Sequence, residues 1–276
     1  MASIPHLGAF RHGGRLREAT AAYPDARGPW LDLSTGINPE SWPGARASAD
    51  ALRTLPDPAS LAELEAVAGR VFGVADRKRV VALGGADVAL RLLPSLLGDG
   101  EVALVAPIYG GHLEAWSGRK AHMVASIEDR RAIDADVLVL ANPNNPDGRQ
   151  VSRSQLADLA ERRAAQDRWT IVDEAFAEVT PDISVADLEI DRLIVLRSFG
   201  KFYGLPGARL GFVICDRALA RKIRAILGDW PVCADALALG LGAYADDAWR
   251  ETTAACLASQ TRNLDAVLSA AGLAVV

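Results

Sequence analysis

The sequence predicts an α/β protein: a mostly parallel, seven-stranded sheet between helices, accompanied by a small domain. Two observations carry this. Seven runs of strand length, most of them apolar, occur at Val80–Leu83, Val102–Val105, His122–Ala125, Val137–Ala141, Trp169–Asp173, Leu193–Leu196 and Leu210–Ile214, and helical segments lie between many of them. Strands that alternate with helices are joined by crossovers, which makes the sheet largely parallel and covers both of its faces. Beyond Asp216 the pattern turns wholly helical, over 217–227, 233–245 and about 247 to 270.

Taken in order, residues 1–46 read as irregular, with His12-Gly13-Gly14 ahead of a short amphipathic run to Tyr23. Leu31 to Pro39 reads as a short extended segment leading into a turn. Leu61 to Phe72 carries apolar residues at 61, 64, 67, 68 and 71, a helical period, with Ser60 as its expected N-cap. Val80–Leu83 leads into a helix over Ala86–Leu97, His112–Trp116 is expected to be helical, and Ser152 caps a helix to Ala165. Gly272 ends the last helix, and Leu273–Val276 reads as the beginning of a strand. A strand must pair somewhere, so a further C-terminal segment is expected beyond it. The expected division is a large domain over 47–228, with 1–46 and 229–276 forming an incomplete small domain. No repeat or low-complexity segment is visible.

Composition narrows the function classes. Half of the 276 residues are hydrophobic and about a quarter are charged, with a net charge of −5, the profile of an ordinary globular enzyme. No basic cluster suggests a nucleic-acid partner. The apolar runs are too short to cross a membrane, and the N-terminus lacks a signal-peptide pattern, so a cytoplasmic location is expected. Cys215, Cys233 and Cys256 are odd in number and widely spaced, which fits neither a disulfide framework nor a metal site. His6, His12, His112 and His122 lack metal-ligand spacing; His112 and His122 read as structural. There is no G-x-G-x-x-G for a dinucleotide and no G-x-S-x-G elbow for a serine hydrolase.

The chemistry concentrates at the carboxyl ends of the strands, where ligands bind in such sheets. In Ser198-Phe-Gly-Lys-Phe-Tyr-Gly-Leu-Pro-Gly-Ala-Arg-Leu-Gly-Phe212, Lys201 stands among glycines and apolar residues, between Ser198 and Arg209. Desolvation lowers a lysine pKa towards the range of a Schiff-base nucleophile, and serine with arginine can grip a phosphate dianion. A glycine-rich loop with Lys201 merely snorkelling would carry the same residues. Lysine, serine and arginine together suggest a cofactor with an aldehyde and a phosphate, which describes pyridoxal 5′-phosphate. Gly84-Gly85-Ala86-Asp87 opens a helix whose bare amides can cradle phosphate, or is simply a tight turn. Tyr109 in Pro107-Ile-Tyr109 can lie against a flat ring or fill a core. Asn142-Pro-Asn-Asn-Pro-Asp-Gly148 makes a rigid turn expected to aim amide side chains outward. Asp173, at the end of a buried strand, needs a cation; a pyridinium nitrogen is one, and a helix N-cap is the other reading.

In this order the five motifs resemble the pyridoxal-phosphate-dependent enzymes of the aspartate-aminotransferase fold, fold type I, over nearly the whole chain. The resemblance implies that Lys201 attaches the cofactor, that Asp173 pairs with the ring nitrogen, that Tyr109 stacks on the ring and that Asn145 bonds its phenolic oxygen. It also implies that Gly85, Ala86, Ser198 and Arg209 hold the phosphate. Within that superfamily the chain is similar to the histidinol-phosphate aminotransferases and the threonine-phosphate decarboxylases of cobalamin synthesis. His12-Gly-Gly with Arg17-Glu18-Ala19, Asp32-Leu-Ser-Thr-Gly-Ile-Asn-Pro39, and Phe176 where aminotransferases usually carry tyrosine resemble the decarboxylases.

That resemblance implies decarboxylation of L-threonine O-3-phosphate to (R)-1-amino-2-propanol O-2-phosphate. His12, Gly36, Ile37 and Asn38 are then the expected grips on the small phosphorylated amino acid, and a homodimer is the expected assembly. Leu55 departs from the pattern, because many relatives place there a tyrosine that reaches the neighbouring subunit's cofactor phosphate. The family's substrate-binding arginine has no counterpart in these residues. An aminotransferase acting on a substrate such as histidinol phosphate is the alternative, and a non-catalytic subunit of the same fold is a third reading.

Overall fold

Apolar runs of four to six residues, too short to bury themselves as helices, satisfy their backbone by pairing. The computed structural model describes residues 13–275. Its elements are α1 (Leu16–Ala22), α2 (Pro58–Val71), β1 (Val80–Leu83), α3 (Ala86–Leu96), β2 (Val102–Val105), α4 (Gly110–Ala115), β3 (Ala121–Val124), α5 (Arg130–Asp134) and β4 (Val137–Ala141). They continue with α6 (Arg153–Ala164), β5 (Trp169–Asp173), β6 (Leu193–Ser198), α7 (Phe199–Phe202), β7 (Gly211–Ile214), α8 (Arg217–Leu227), α9 (Ala234–Ala245) and α10 (Asp247–Ala270).

The seven strands form one sheet in the order β1-β7-β6-β5-β4-β2-β3. All neighbours are parallel except β7, which runs antiparallel to both β1 and β6. The expected fold class is therefore observed. Successive residues of a strand point to opposite faces, and the sheet is buried on both. Val80 and Ala82 join a core with Leu64 of α2, Leu156 of α6 and Leu239 of α9, whereas Val81 and Leu83 join a second core with Leu93 of α3 and Ile223 of α8. Before residue 228, the expected domain boundary, α8 packs in the second core; after it, α9 shares the core of α2 and the sheet.

Two expectations are corrected. The first helix of the sheet layer begins at Pro58, and the Asp57 carboxylate accepts from the Ala59 amide at 3.1 Å. Proline at the first helical position comes with its φ already set, so the cap falls on Asp57 and Ser60 lies inside the helix. Leu273–Val275, expected to begin a strand, is irregular and exposed. No strand among the described residues pairs with it. By contrast, Ser152 forms the expected cap, a reciprocal capping box with Gln155. No helix among the described residues is long and apolar enough to cross a membrane.

Behind the strand ends that carry the chemistry lies a buried ion cluster. Arg197, next to Ser198 but on the opposite face, donates from Nη1 to Glu174 Oε2 at 2.8 Å and from Nη2 to Glu178 Oε1 at 3.1 Å. Glu174 also accepts from Ser184 Oγ at 2.6 Å and from the Val185 amide at 2.7 Å. Burial raises the Glu178 pKa against the pull of Arg197. The Arg197 guanidinium lies 4.7 Å from the centre of the Phe72 ring. Removing one partner of a buried charge cluster leaves the others uncompensated, so Arg197→Met is expected to cost about 3 kcal/mol of stability. Denaturant titration would show a lower midpoint at unchanged slope; an unchanged midpoint would mean that the cluster contributes no net stability.

Candidate active site

The site is assembled at the carboxyl ends of β1, β2, β4, β5 and β6. After β1 the chain turns at Gly85, the N-cap of α3, with φ +99° and ψ 147°, a region that essentially only glycine occupies. A Cβ there would fall 2.6 Å from Arg209 Nη2, and a Cβ at Gly211 would fall 2.3 Å from the Ala86 amide nitrogen. The bare backbone thus lets β7 and the Arg209 guanidinium close on the first turn of α3. Arg209 itself is left-handed, with φ +50°, and Ser198 lies at the end of β6. Gly85, Ala86, Ser198 and Arg209, the expected phosphate holders, all line one cavity. Amides at a helix N-terminus, a hydroxyl and a guanidinium together suit a dianion. Gly85→Ala is expected to strain the turn and displace Arg209, weakening pyridoxal-phosphate binding by about tenfold or more. Titration of the apo-protein with the cofactor checks this, and unchanged affinity would remove Gly85 from the cradle.

Asp173 ends β5 and faces the same cavity. Its Oδ1 accepts from the Ala175 amide at 3.1 Å, and its Oδ2 lies 2.8 Å from Nε2 of His112, a residue that is 1 % exposed. A carboxylate only accepts, so Nε2 carries the proton of that imidazole. The sequence reading of His112 as structural is therefore incomplete: it is the direct partner of the site's carboxylate. Tyr109 caps α4, lines the cavity and sets its ring edge-on to His112 at 6.2 Å.

The asparagine-rich turn after β4 divides its labour. Asn142 Nδ2 donates to Val151 O at 3.0 Å while its Oδ1 accepts from the Val151 amide at 2.9 Å, and Asn144 Nδ2 donates to Pro107 O at 2.8 Å. Both are buried, because the turn has backbone groups that need partners, so the expectation of three outward amides is corrected. Asn145 lines the cavity.

Lys201 lies in α7, a single turn following β6. Burial lowers its pKa, opposed by the Asp173 carboxylate and reinforced by Arg209. Its Nζ lies 5.5 Å from the centre of the Phe176 ring. Of the four lysines, Lys78, Lys120, Lys201 and Lys222, Lys201 is expected to lose its proton at a pH below that of an ordinary lysine. The neutral amine is the nucleophile, so in the apo-protein Lys201 should react with an aldehyde and borohydride at lower pH than the exposed lysines do. Peptide mapping across a pH series measures this; equal profiles would contradict the desolvation argument.

The expected substrate grips are placed differently. His12 lies outside the described residues. Gly36 abuts the edge of Phe176, where a Cβ would fall 2.9 Å from its Cε1. Ile37 is half-buried and Asn38 buried. Gly36, Ile37 and Asn38 do not line the cavity around Lys201, and the Asn38 side chain is committed elsewhere: Nδ2 donates to Phe202 O at 2.9 Å and Oδ1 accepts from the Glu40 amide at 3.0 Å. Leu55 is exposed. No group of His, Cys, Asp and Glu side chains among the described residues could hold a metal ion.

The cavity measures about 190 Å³. An anion cradle, a carboxylate, an amine of lowered basicity and an aromatic flank all border it. This donor set fits pyridoxal 5′-phosphate, and the missing Cβ at Gly85 is what leaves the cradle open.

Comparisons with known proteins agree. The chain is 40% identical over 227 residues to a threonine-phosphate decarboxylase of Pseudomonas aeruginosa, an alignment covering 81% of this chain and 67% of that protein. It is 34% identical over 270 residues to a threonine-phosphate decarboxylase of Sinorhizobium sp, covering 95% of this chain and 79% of the relative. Its fold is similar to that of histidinol-phosphate aminotransferase from Sinorhizobium meliloti in complex with pyridoxal-5′-phosphate, with a TM-score of 0.72 at 21% identity over 82% of this chain and 66% of the other. The family model of aminotransferase class I and II matches residues 30–276, and the chain belongs to that family.

Proposed function

We propose that this protein is a pyridoxal-phosphate-dependent carboxy-lyase that converts L-threonine O-3-phosphate to (R)-1-amino-2-propanol O-2-phosphate and carbon dioxide, a step in cobalamin assembly. The observation that carries the reading is the desolvated Lys201 between Asp173 and the Arg209 cradle, in a chain 40% identical to a threonine-phosphate decarboxylase. In the reaction the bond from the α-carbon to its carboxylate breaks, carbon dioxide leaves, and a proton takes its place on that carbon.

When bound, the cofactor supplies an electron-withdrawing ring that accepts the electron pair released as carbon dioxide departs. Asp173, oriented by His112 and the Ala175 amide, would hold a proton on the ring nitrogen. Gly85, Ala86, Ser198 and Arg209, which line the cavity together, would hold the phosphate, with Tyr109 beside the ring and Asn145 toward its oxygen substituent. Lys201, whose amine lines the cavity with lowered basicity, would be the residue that holds the cofactor's aldehyde, and its amine could carry the proton for the α-carbon. Phe176 offers no hydroxyl to the ring's oxygen and closes the space around Lys201. Which bond breaks depends on which one the anchors align with the ring's π system, a matter of positioning. A second anionic handle on the substrate gives the protein that control. The enzyme acts in the cytoplasm as a homodimer, and exposed Leu31, Leu33 and Leu55 offer apolar surface for a second copy.

The deciding experiment offers threonine phosphate to the holoenzyme, and separately histidinol phosphate with 2-oxoglutarate. Release of carbon dioxide and the amino alcohol phosphate, with no keto acid consumed, is the expected result. Glutamate from the second mixture and no carbon dioxide from the first would make the protein an aminotransferase.

A further inference from the structure

The four-residue helix that carries Lys201 cannot hold itself. One turn leaves its final carbonyls short of partners, with only Lys201 O bonded locally, by the Tyr203 and Gly204 amides, and a helix this short has no stability of its own. Three successive carbonyls at its end are taken by one distant segment. Lys201 O accepts from the Asn38 amide at 3.0 Å, Phe202 O from Asn38 Nδ2 at 2.9 Å, and Tyr203 O from the Trp42 amide at 3.0 Å. Asn38 Oδ1, turned the other way, takes the Glu40 amide at 3.0 Å, which fixes the amide orientation so that Nδ2 must face Phe202. Gly204, at φ +64°, lets the chain turn away beneath this strap, since a Cβ there would fall 2.6 Å from Asn38 O and 2.8 Å from Ser41 Cα. Two residues earlier the same segment presses Gly36 against Phe176, the ring beside Lys201 Nζ.

We infer that Asn38 is a positioning residue for Lys201 and not a substrate contact. With residues 36–42 as a strap, it clamps the carbonyl end of the lysine's single turn and so fixes how far Nζ reaches into the cavity. The inference rests on the reading of Lys201 as the attachment residue. Asn38 makes both ends of its side chain and its backbone amide serve this one task. Loss of Nδ2 frees Phe202 O and loosens the turn. Lys201 then gains water, and the burial that lowers its pKa diminishes.

Asn38→Ser provides the test, because a serine hydroxyl can still accept from the Glu40 amide but is too short to reach Phe202 O. It adds no charge beside Lys201. In the apo-protein, the pH profile for borohydride trapping of an aldehyde on Lys201 should move to higher pH, while those of Lys78, Lys120 and Lys222 stay in place. In the loaded enzyme kcat should fall about tenfold with KM within about twofold, the pattern of a group that acts on geometry and not on substrate binding. Asn38→Asp, which keeps the Glu40 contact and sets a carboxylate oxygen against Phe202 O, should lower kcat further. A raised KM with unchanged kcat and an unmoved Lys201 profile would make Asn38 a substrate contact and overturn the inference. The apo-protein measurement needs neither substrate nor turnover. A failure of the decarboxylase reading would appear separately, as parent enzyme that releases no carbon dioxide.

Discussion

Lys201→Ala is expected to fold and to release no carbon dioxide above background, a loss of at least about 10⁴-fold in kcat. The fold should survive because the Lys201 side chain reaches into the cavity while the turn beneath it is held by backbone bonds. Asn38 and Trp42 donate to carbonyls that the substitution does not touch, and Phe199, Phe202 and Tyr203 anchor the turn in the core. Alanine also removes the amine that Phe176 flanks at 5.5 Å, at little cost in stability for a side chain open to the cavity. The cradle of Gly85, Ser198 and Arg209 remains, so the variant should still take up cofactor, without a borohydride-stable bond to residue 201. Lys201→Arg serves as the control for charge. It restores a cation beside Phe176 but no nucleophilic amine, and is expected to be equally inactive. Mass spectrometry of the peptide spanning 198–209, with and without borohydride, reports attachment independently of turnover. Activity in Lys201→Ala within about tenfold of the parent would remove this lysine from the chemistry.

The sheet was legible because strands buried on both faces read as continuous apolar runs; Val80–Leu83 and Val137–Ala141 have no exposed residue. Helix starts were legible where a cap has a reciprocal partner, as Ser152 does in Gln155, and misplaced by a few residues where proline competes, as at Asp57-Pro58. The antiparallel direction of β7 leaves no mark on its four residues, since direction is decided by where the partners already lie. The residues lining the cavity were legible for a related reason: in a parallel sheet chemistry gathers at strand ends, and Gly85, Tyr109, Asn145, Asp173, Ser198 and Lys201 follow or close strands. His112 and Asn38 were harder to read because the partners they bond are distant in the chain. Asp173 stands 61 residues from His112, and Phe202 stands 164 residues from Asn38. Asn142 and Asn144 were misread because an asparagine amide serves a turn's own backbone as readily as a ligand, and only the folded turn shows which.

Asp173→Ala is expected to lower kcat by at least about 10³-fold, close to 4 kcal/mol of transition-state stabilisation. Asp173 is 9 % exposed, and a carboxylate with so little water acts strongly on any charge beside it. Two of its contacts are already used, one by the Ala175 amide and one by His112 Nε2. What it has left faces the cavity, where it can hold a proton on the ring nitrogen and keep the ring electron-withdrawing. Asp173→Asn separates charge from shape. The carboxamide fills the same space, but either its amide group meets the Nε2 proton of His112, donor against donor, or its oxygen turns to His112 and a donor faces the ring nitrogen. In both orientations the ring nitrogen loses its anionic partner, so asparagine should be nearly as slow as alanine. His112→Phe keeps the charge and removes the support. It should cost less, about tenfold in kcat, because the Ala175 amide still orients the carboxylate. Single-turnover rates at saturating cofactor place each loss in the bond-breaking step. The ordering Asp173→Ala, then Asp173→Asn, then His112→Phe, from slowest to fastest, is the expected result. An Asp173→Asn enzyme as fast as the parent would show that the charge does no chemistry, and that His112 and Asp173 form a structural pair beneath the ring.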